Sequence, residues 1–268
     1  MSDDVSARLK LALEIARAAG ALTLEFFQRD SVKVERKRDD SPVTQADRQA
    51  ELLMRERIAT ALPEDGIIGE EHGEVPGTSG YQWILDPIDG TKSFIAGVPL
   101  YSVLVGVVRN DESLIGVILV PGLDECVYAA KGEGAWWTKG ETAPRAAKVS
   151  DRECLADGVF VTSQVDGFGK RSAMEAYERL ERAAYITRTW GDGYGYLLIA
   201  TGRAEAMVDP IMNIWDAAAI QPVMQEAGGS FTDWQGKPRI DGGEGVGTNG
   251  LVLDEVLKIT RDYPITRD

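Results

Sequence analysis

One histidine and two cysteines stand in a chain of 268 residues, and these shortages exclude a good deal. Hydrolases that attack through histidine, and metal centres built on imidazoles, need more than His72 can offer. Cys126 and Cys154 lie far apart, with no CxxC and no zinc spacing. They read as two small buried thiols in a reducing cytoplasm. No apolar run approaches the length of a membrane span, and Met1-Ser2-Asp3-Asp4 does not open a signal peptide. Basic residues are outnumbered by acidic ones, 29 to 43, for a formal net charge of −14. That field repels nucleic acid and anionic membranes, so neither is expected as a partner. A phosphate substrate would need metal ions to reverse the local sign. The remainder is ordinary for a soluble globular protein, 44% hydrophobic and 27% charged, and the length suits one large domain or two intimate ones. A hydrolase made from this inventory would work with carboxylates and oxygen-loving metals such as Mg²⁺.

The stretch with most chemistry in it is Trp83-Ile84-Leu85-Asp86-Pro87-Ile88-Asp89-Gly90-Thr91. An apolar run suited to a buried strand breaks into two carboxylates, a proline and a glycine. Pro87 biases Asp86 toward extended backbone, which predicts that the strand ends there. Gly90 can supply the positive φ of a turn, and Thr91–Phe94 can open a helix whose first amides face it. Two acids and an anion-ready helix start suit a hard cation and a phosphate together. The same residues also suit a plain turn and a helix cap. A P-loop is excluded, because Thr91 and not a glycine precedes Lys92, and the motif's upstream glycine is missing as well.

Elsewhere the spacing predicts an amphipathic helix from about Leu9 to Phe27 and, after Glu35–Asp40, a second helix to about Ala61. Thr44 and Asp47 form a capping box for that second helix, a structural reason for Asp47. Glu70-Glu71 beside glycines reads as a solvated loop, and His72 as a surface residue. Strands are predicted over 102–108, 114–120, 125–130 and 134–137, consecutive and so antiparallel. The charged stretch from Lys139 to Asp151 is the expected boundary, dividing an α+β half, 1–142, from an α/β half, 143–268. In the second half strands are expected at 159–163, 185–189 and 205–208. Helices are expected at 171–183, 194–201 and 215–227, with a last strand at 230–233. Asp216 is there a helix N-terminal acid. Trp136 and Trp137 suit a dimer surface or a core equally.

Each acid alone has a structural explanation; the set does not. Asp47, Glu70-Glu71, Asp86-Pro-Ile-Asp-Gly-Thr91 and Trp215-Asp216, in that order, resemble the inositol monophosphatase superfamily of metal-dependent, lithium-sensitive phosphomonoesterases. The likeness runs through nearly the whole chain, including Lys37–Thr44 and Lys131–Ala135. It implies a mixed α/β fold, a layered αβαβα sandwich, and a homodimer. It also implies that Glu70, Asp86 and the Ile88 carbonyl hold one Mg²⁺, while Asp86 bridges to a second held by Asp89 and Asp216. A third, looser ion would sit near Glu70; Mn²⁺ would substitute and Li⁺ inhibit. Thr91 with Asp47 would orient a metal-activated water, and the amides of Gly90 and Thr91 would cradle the phosphate. The loop 30–43 would close over the metals.

Arg188, Trp190-Gly191-Asp192 and Asp209, seven residues before Asp216, resemble the histidinol-phosphate phosphatase branch. Gly193 departs from that branch, which usually has Cys there. The expected substrate is L-histidinol phosphate, with Asp89, Gly90, Thr91, Arg188, Asp192, Asp209 and Asp216 as substrate contacts and Trp190 or Tyr194 stacked on its imidazole. An inositol or broad-specificity sugar monophosphatase is the second reading. A non-catalytic, metal-binding regulatory protein is the third.

Overall fold

A computed structural model describes residues 3–29, 34–36 and 42–265. The expected loop 30–43 lies largely outside them, as do Lys37 to Ser41. The first half begins with α1 (Asp3–Phe26), a β1–β2 pair (Val34–Arg36, Pro42–Thr44) and α2 (Gln45–Ala61). Next come β3 (Gly66–Gly69), β4 (Gly73–Val75), β5 (Tyr81–Asp89) and the short helix α3 (Thr91–Ile95). Five strands follow: β6 (Ser102–Arg109), β7 (Glu112–Val120), β8 (Glu125–Ala130), β9 (Ala135–Lys139) and β10 (Arg145–Ala146). The second half holds β11 (Val159–Val161), α4 (Asp166–Lys170), α5 (Met174–Ala183), β12 (Ile186–Arg188), α6 (Gly193–Ala200) and β13 (Ala206–Asp209). It continues through α7 (Ile214–Ala217), α8 (Ile220–Glu226), β14 (Ser230–Thr232), β15 (Gly245–Thr248) and α9 (Leu253–Thr260).

Among the described residues, β10-β9-β8-β7-β6-β5-β3-β4 form one sheet, antiparallel except where β3 runs parallel to β5. The order β12-β11-β13-β15-β14 forms the second, mixed sheet. Strand alternation sorts side chains between layers. Val103, Val105 and Val107 of β6 face the Ala12, Ile15, Ala16 and Ala19 stripe of α1 and the Ala50, Met54 and Ile58 stripe of α2. Leu104, Ile118 and Val127 point the other way, into a core shared with α6, α8 and the near face of the second sheet. Phe160, Val208 and Val246 on that sheet's far face pack against Leu180 of α5 and Val256 of α9. The layers are thus α, β, α, β, α, as the resemblance implies. No helix among the described residues is long and apolar enough to cross a membrane.

Four expectations need correction. β5 does not stop at Asp86 but runs through Pro87 to Asp89, because a bulge absorbs the proline. The helix expected at 215–227 is two short helices, since Pro222 has no amide hydrogen for the Ala218 carbonyl. The strand at 230–233 is not the last; β15 and α9 follow it. Cys126 is buried, but Cys154 is half-buried.

The approach of α7 and α8 to the first sheet depends on two glycines. Gly106 and Gly116 are partners across β6 and β7. A Cβ on Gly106 would lie 2.8 Å from the Ala218 Cβ and 2.9 Å from its carbonyl carbon, and one on Gly116 would overlap the Ala219 carbonyl oxygen. Backbone cannot retreat as a side-chain tip can. Gly116→Ala is therefore expected to destabilise by about 1–3 kcal/mol, as overpacking does, and to lift Asp216 away from the sheet. Denaturant melts would check this; an unchanged midpoint would contradict the close approach.

Candidate metal centre

Asp86 and Asp89 end the same strand, three residues apart. In a regular strand such a pair would face opposite sides. Here Asp86 pairs with Leu104 and Asp89 with Ser102, so three steps along β5 match two along β6. The extra residue turns both carboxylates to one side. Asp216 comes from the first turn of α7, where Asn213 and Asp216 form a capping box. One oxygen from each of Asp86, Asp89 and Asp216 lies within 4.8 Å of the others, so the three could hold a metal ion.

These carboxylates are crowded and poorly solvated. Asp86 is 2% exposed and Asp89 8%. Burial first, then Glu70, Asp89 and Asp216, push Asp86 well above the usual carboxylate range. Burial and the neighbouring Asp192 and Asp216 do the same to Asp89, against hydrogen bonds from the Ser102 hydroxyl and the Gly193 amide, each 2.6 Å. Asp216 is raised to about 7 by burial and by Glu70, although the Asn213 amide donates to it at 2.6 Å. The oxygens of Asp86 and Asp216 come close enough for their charges to oppose one another, which favours the neutral acid at such a site. Such a group fits a divalent cation, which would take the proton's place.

Glu70 stands in the turn between β3 and β4, half-buried rather than in a solvated loop, and its charge reaches Asp86, Asp216 and Asp47. Its amide donates to the Leu85 carbonyl at 3.2 Å. Asp47 uses its two oxygens separately. Its Oδ2 accepts from the Thr44 amide at 2.8 Å and hydroxyl at 2.6 Å, the capping box, and its Oδ1 lies 3.3 Å from Thr91 Oγ1. Burial raises its pKa. Thr91 Oγ1 is also 3.1 Å from the Ile88 carbonyl oxygen. Gly90 turns the chain between Asp89 and α3 with φ 85°, a value that a Cβ would strain.

A narrow cavity of about 40 Å³ adjoins the cluster, lined by Asp89, Ser163, Asp192, Tyr196, Asp209 and Asp216 among others. Asp209 accepts from Ser163 Oγ at 2.7 Å and from the Tyr196 hydroxyl at 2.8 Å, and burial lifts it to about 6. The Asp192 carboxylate lies over Gly90, 2.5 Å from where a Cβ would be; burial raises it and Lys92 opposes. Arg188 is exposed, its Nη1 bonded to the Thr187 carbonyl and its guanidinium 5.8 Å from the Trp190 ring centroid. Tyr194 does not turn toward the cavity: it packs on the inter-sheet core and meets Arg203. Gly193 has a local reason here, since a Cβ would lie 2.5 Å from Ser102 Oγ. His72 is exposed, its Nε2 3.1 Å from the Arg48 carbonyl oxygen. Trp136 is 39% exposed; Trp137 is half-buried and donates to Glu125 at 2.8 Å.

Sequence reasoning missed Ser102, Ser163 and Tyr196 as partners of the acids. Ser163 ends a predicted strand and Tyr196 lies inside a predicted helix, but nothing local shows that either faces an aspartate from another element.

Residues 4–261 match the inositol monophosphatase family. A histidinol-phosphatase of Chlorobaculum parvum is 42% identical over 89% of this chain and 90% of its own. A histidinol-phosphatase of Mycobacterium tuberculosis is 36% identical over 93% and 96%. The solved structure of an IMPase from Thermotoga maritima superposes with a TM-score of 0.85 at 32% identity, covering 96% of this chain and 98% of that one. With a likeness spanning nearly its full length, the chain belongs to the inositol monophosphatase family and is a phosphoric monoester hydrolase.

Proposed function

We propose that the enzyme is Mg²⁺-dependent and that its ester is L-histidinol phosphate, cleaved to L-histidinol and phosphate as histidine biosynthesis requires. The observation that carries the metal reading is the trio Asp86, Asp89 and Asp216, whose oxygens converge within 4.8 Å in a poorly solvated corner. Glu70, Asp86 and the Ile88 carbonyl would hold one ion, and Asp86, Asp89 and Asp216 a second, with a third near Glu70. Once bound, the ions would neutralise the phosphate and lower the pKa of a water.

The chain's own groups would do the rest. Thr91 Oγ1 faces two acceptors, Ile88 O and Asp47 Oδ1, and has one proton to give. Its lone pairs then remain to accept a hydrogen bond from the attacking water. Asp47, braced by Thr44, holds that hydroxyl in place, and its raised pKa suits it to take up the water's proton through Thr91. The Gly90 and Thr91 amides would receive the phosphate oxygens. Asp209 and Asp192, beside the narrow cavity, would favour a cationic amino alcohol as leaving group. Arg188 is assigned to the outer end of the substrate on the resemblance alone. A cytoplasmic homodimer completes the reading, to be checked by sedimentation.

The likeness to the Thermotoga maritima IMPase favours a second reading, an inositol or sugar monophosphatase. A phosphate-release panel with Mg²⁺ separates the two. L-Histidinol phosphate is expected to exceed inositol 1-phosphate in kcat/KM. Asp209→Asn is expected to lower kcat/KM for the cationic ester by about 10- to 100-fold, the loss of one charged hydrogen bond, and to spare the neutral one. Equal or reversed preference in the unaltered enzyme would select the second reading.

A further inference from the structure

We infer that Glu51 is a positioning residue that sets the backbone of Glu70 for metal binding. The inference rests on the proposed role of Glu70 as a ligand. Glu51 is 0% exposed, one turn after Asp47 on α2. A fully buried carboxylate is costly unless its oxygens are met, and these are met by the metal-site turn. Oε2 accepts from the Glu71 amide at 2.7 Å. Oε1 accepts from the His72 amide at 3.1 Å and from Arg55 Nε at 2.7 Å. The two residues after Glu70 are thus fastened to α2, while the Glu70 amide itself is fastened to Leu85, the residue before Asp86. Arg55 also reaches the Gly73 carbonyl, and the His72 ring meets Arg48 O at 3.1 Å. One helix therefore grips the whole turn, and that helix also carries Asp47.

The carboxylate is specific to this job. Both of its oxygens receive N–H donors. A glutamine there has one acceptor oxygen, and whichever way it turns its NH₂ must face a donor. Gly69 makes the seat: a Cβ at that position would overlap the Glu51 carboxylate. Gly69→Ala therefore displaces Glu51 without changing any charge, which separates placement from the loss of a negative field.

The test is direct Mn²⁺ binding, by calorimetry or water-proton relaxation, on the unaltered protein, Glu51→Gln and Gly69→Ala, without substrate. Both variants are expected to bind Mn²⁺ about tenfold or more weakly, the usual effect of losing a group that orients a ligand. The Mg²⁺ activation constant should rise in proportion, while the substrate KM at saturating Mg²⁺ stays within about twofold. If Glu51→Gln fails to fold, Gly69→Ala decides. Folded variants that bind Mn²⁺ as the parent does would overturn the role of Glu51 and leave the metal centre standing. So would losses shared equally by metal affinity and substrate KM, which mark general damage. A parent protein that takes up no Mn²⁺ overturns the metal reading itself, and this inference with it.

Discussion

Asp86→Asn is expected to give a folded protein whose phosphate release falls by about 10³-fold or more, an effect of roughly 4 kcal/mol on the barrier. Asp86 is the acid proposed to touch both ions, so its loss weakens both. Folding should survive for a local reason: Asp86 Oδ1 accepts the Ile88 amide at 3.0 Å, and an asparagine oxygen can do the same. Removing one member of a repelling, buried group should even raise the melting temperature of the metal-free protein. The checks are a phosphate assay with Mg²⁺ and a thermal melt in chelator. A fully active Asp86→Asn protein would end the metal assignment.

The second large effect concerns pH and metal together. In the metal-free protein, burial and like charges raise Asp86, Asp89 and Asp47, and lift Asp216 to about 7. Between an unfolded carboxylate pKa of about 3.9 and these higher folded values, the native state holds more protons than the unfolded one, so stability falls as pH rises. From about pH 5 to about pH 8 the loss should reach several kcal/mol, a drop in melting temperature on the order of 10 °C for a chain of this size. Bound Mg²⁺ should reverse the trend, because the ion needs the ionised acids and displaces their protons. Millimolar Mg²⁺ is therefore expected to raise the melting temperature more near pH 8 than near pH 5.5. Melts with Mg²⁺ and with chelator at both pH values would show it. A chelated protein that grows more stable across this range would contradict the crowding of the acids.

Much of the fold is visible in local patterns. The stripes of α1 and α2 and the alternation in β6 to β9 follow from side-chain period, and the Thr44–Asp47 box marks the start of α2. Failures occur where distant contacts decide. Gly245-Val-Gly-Thr248 has no strand-like pattern, yet β15 forms because its glycines let Tyr196 lie close; a Cβ on Gly247 would sit 2.7 Å from that ring. β5 continues past Pro87 because β6 pairs with Asp89 beyond the bulge.

The acids were all readable as candidates, and Asp47 and Asp216 also had cap positions to explain them. Residue order and spacing by themselves marked most helices and strands and the acids to suspect, since helix, strand and cap signals act over a few residues; the family and the layered fold came with the resemblance that those residues carry. Only the tertiary structure decided which oxygens meet. The bulge that turns Asp86 and Asp89 the same way, the glycine pair that seats Asp216, and the grip of Glu51 on the Glu70 turn all join elements far apart in the chain. Such contacts depend on packing distances, which no local pattern of residues encodes.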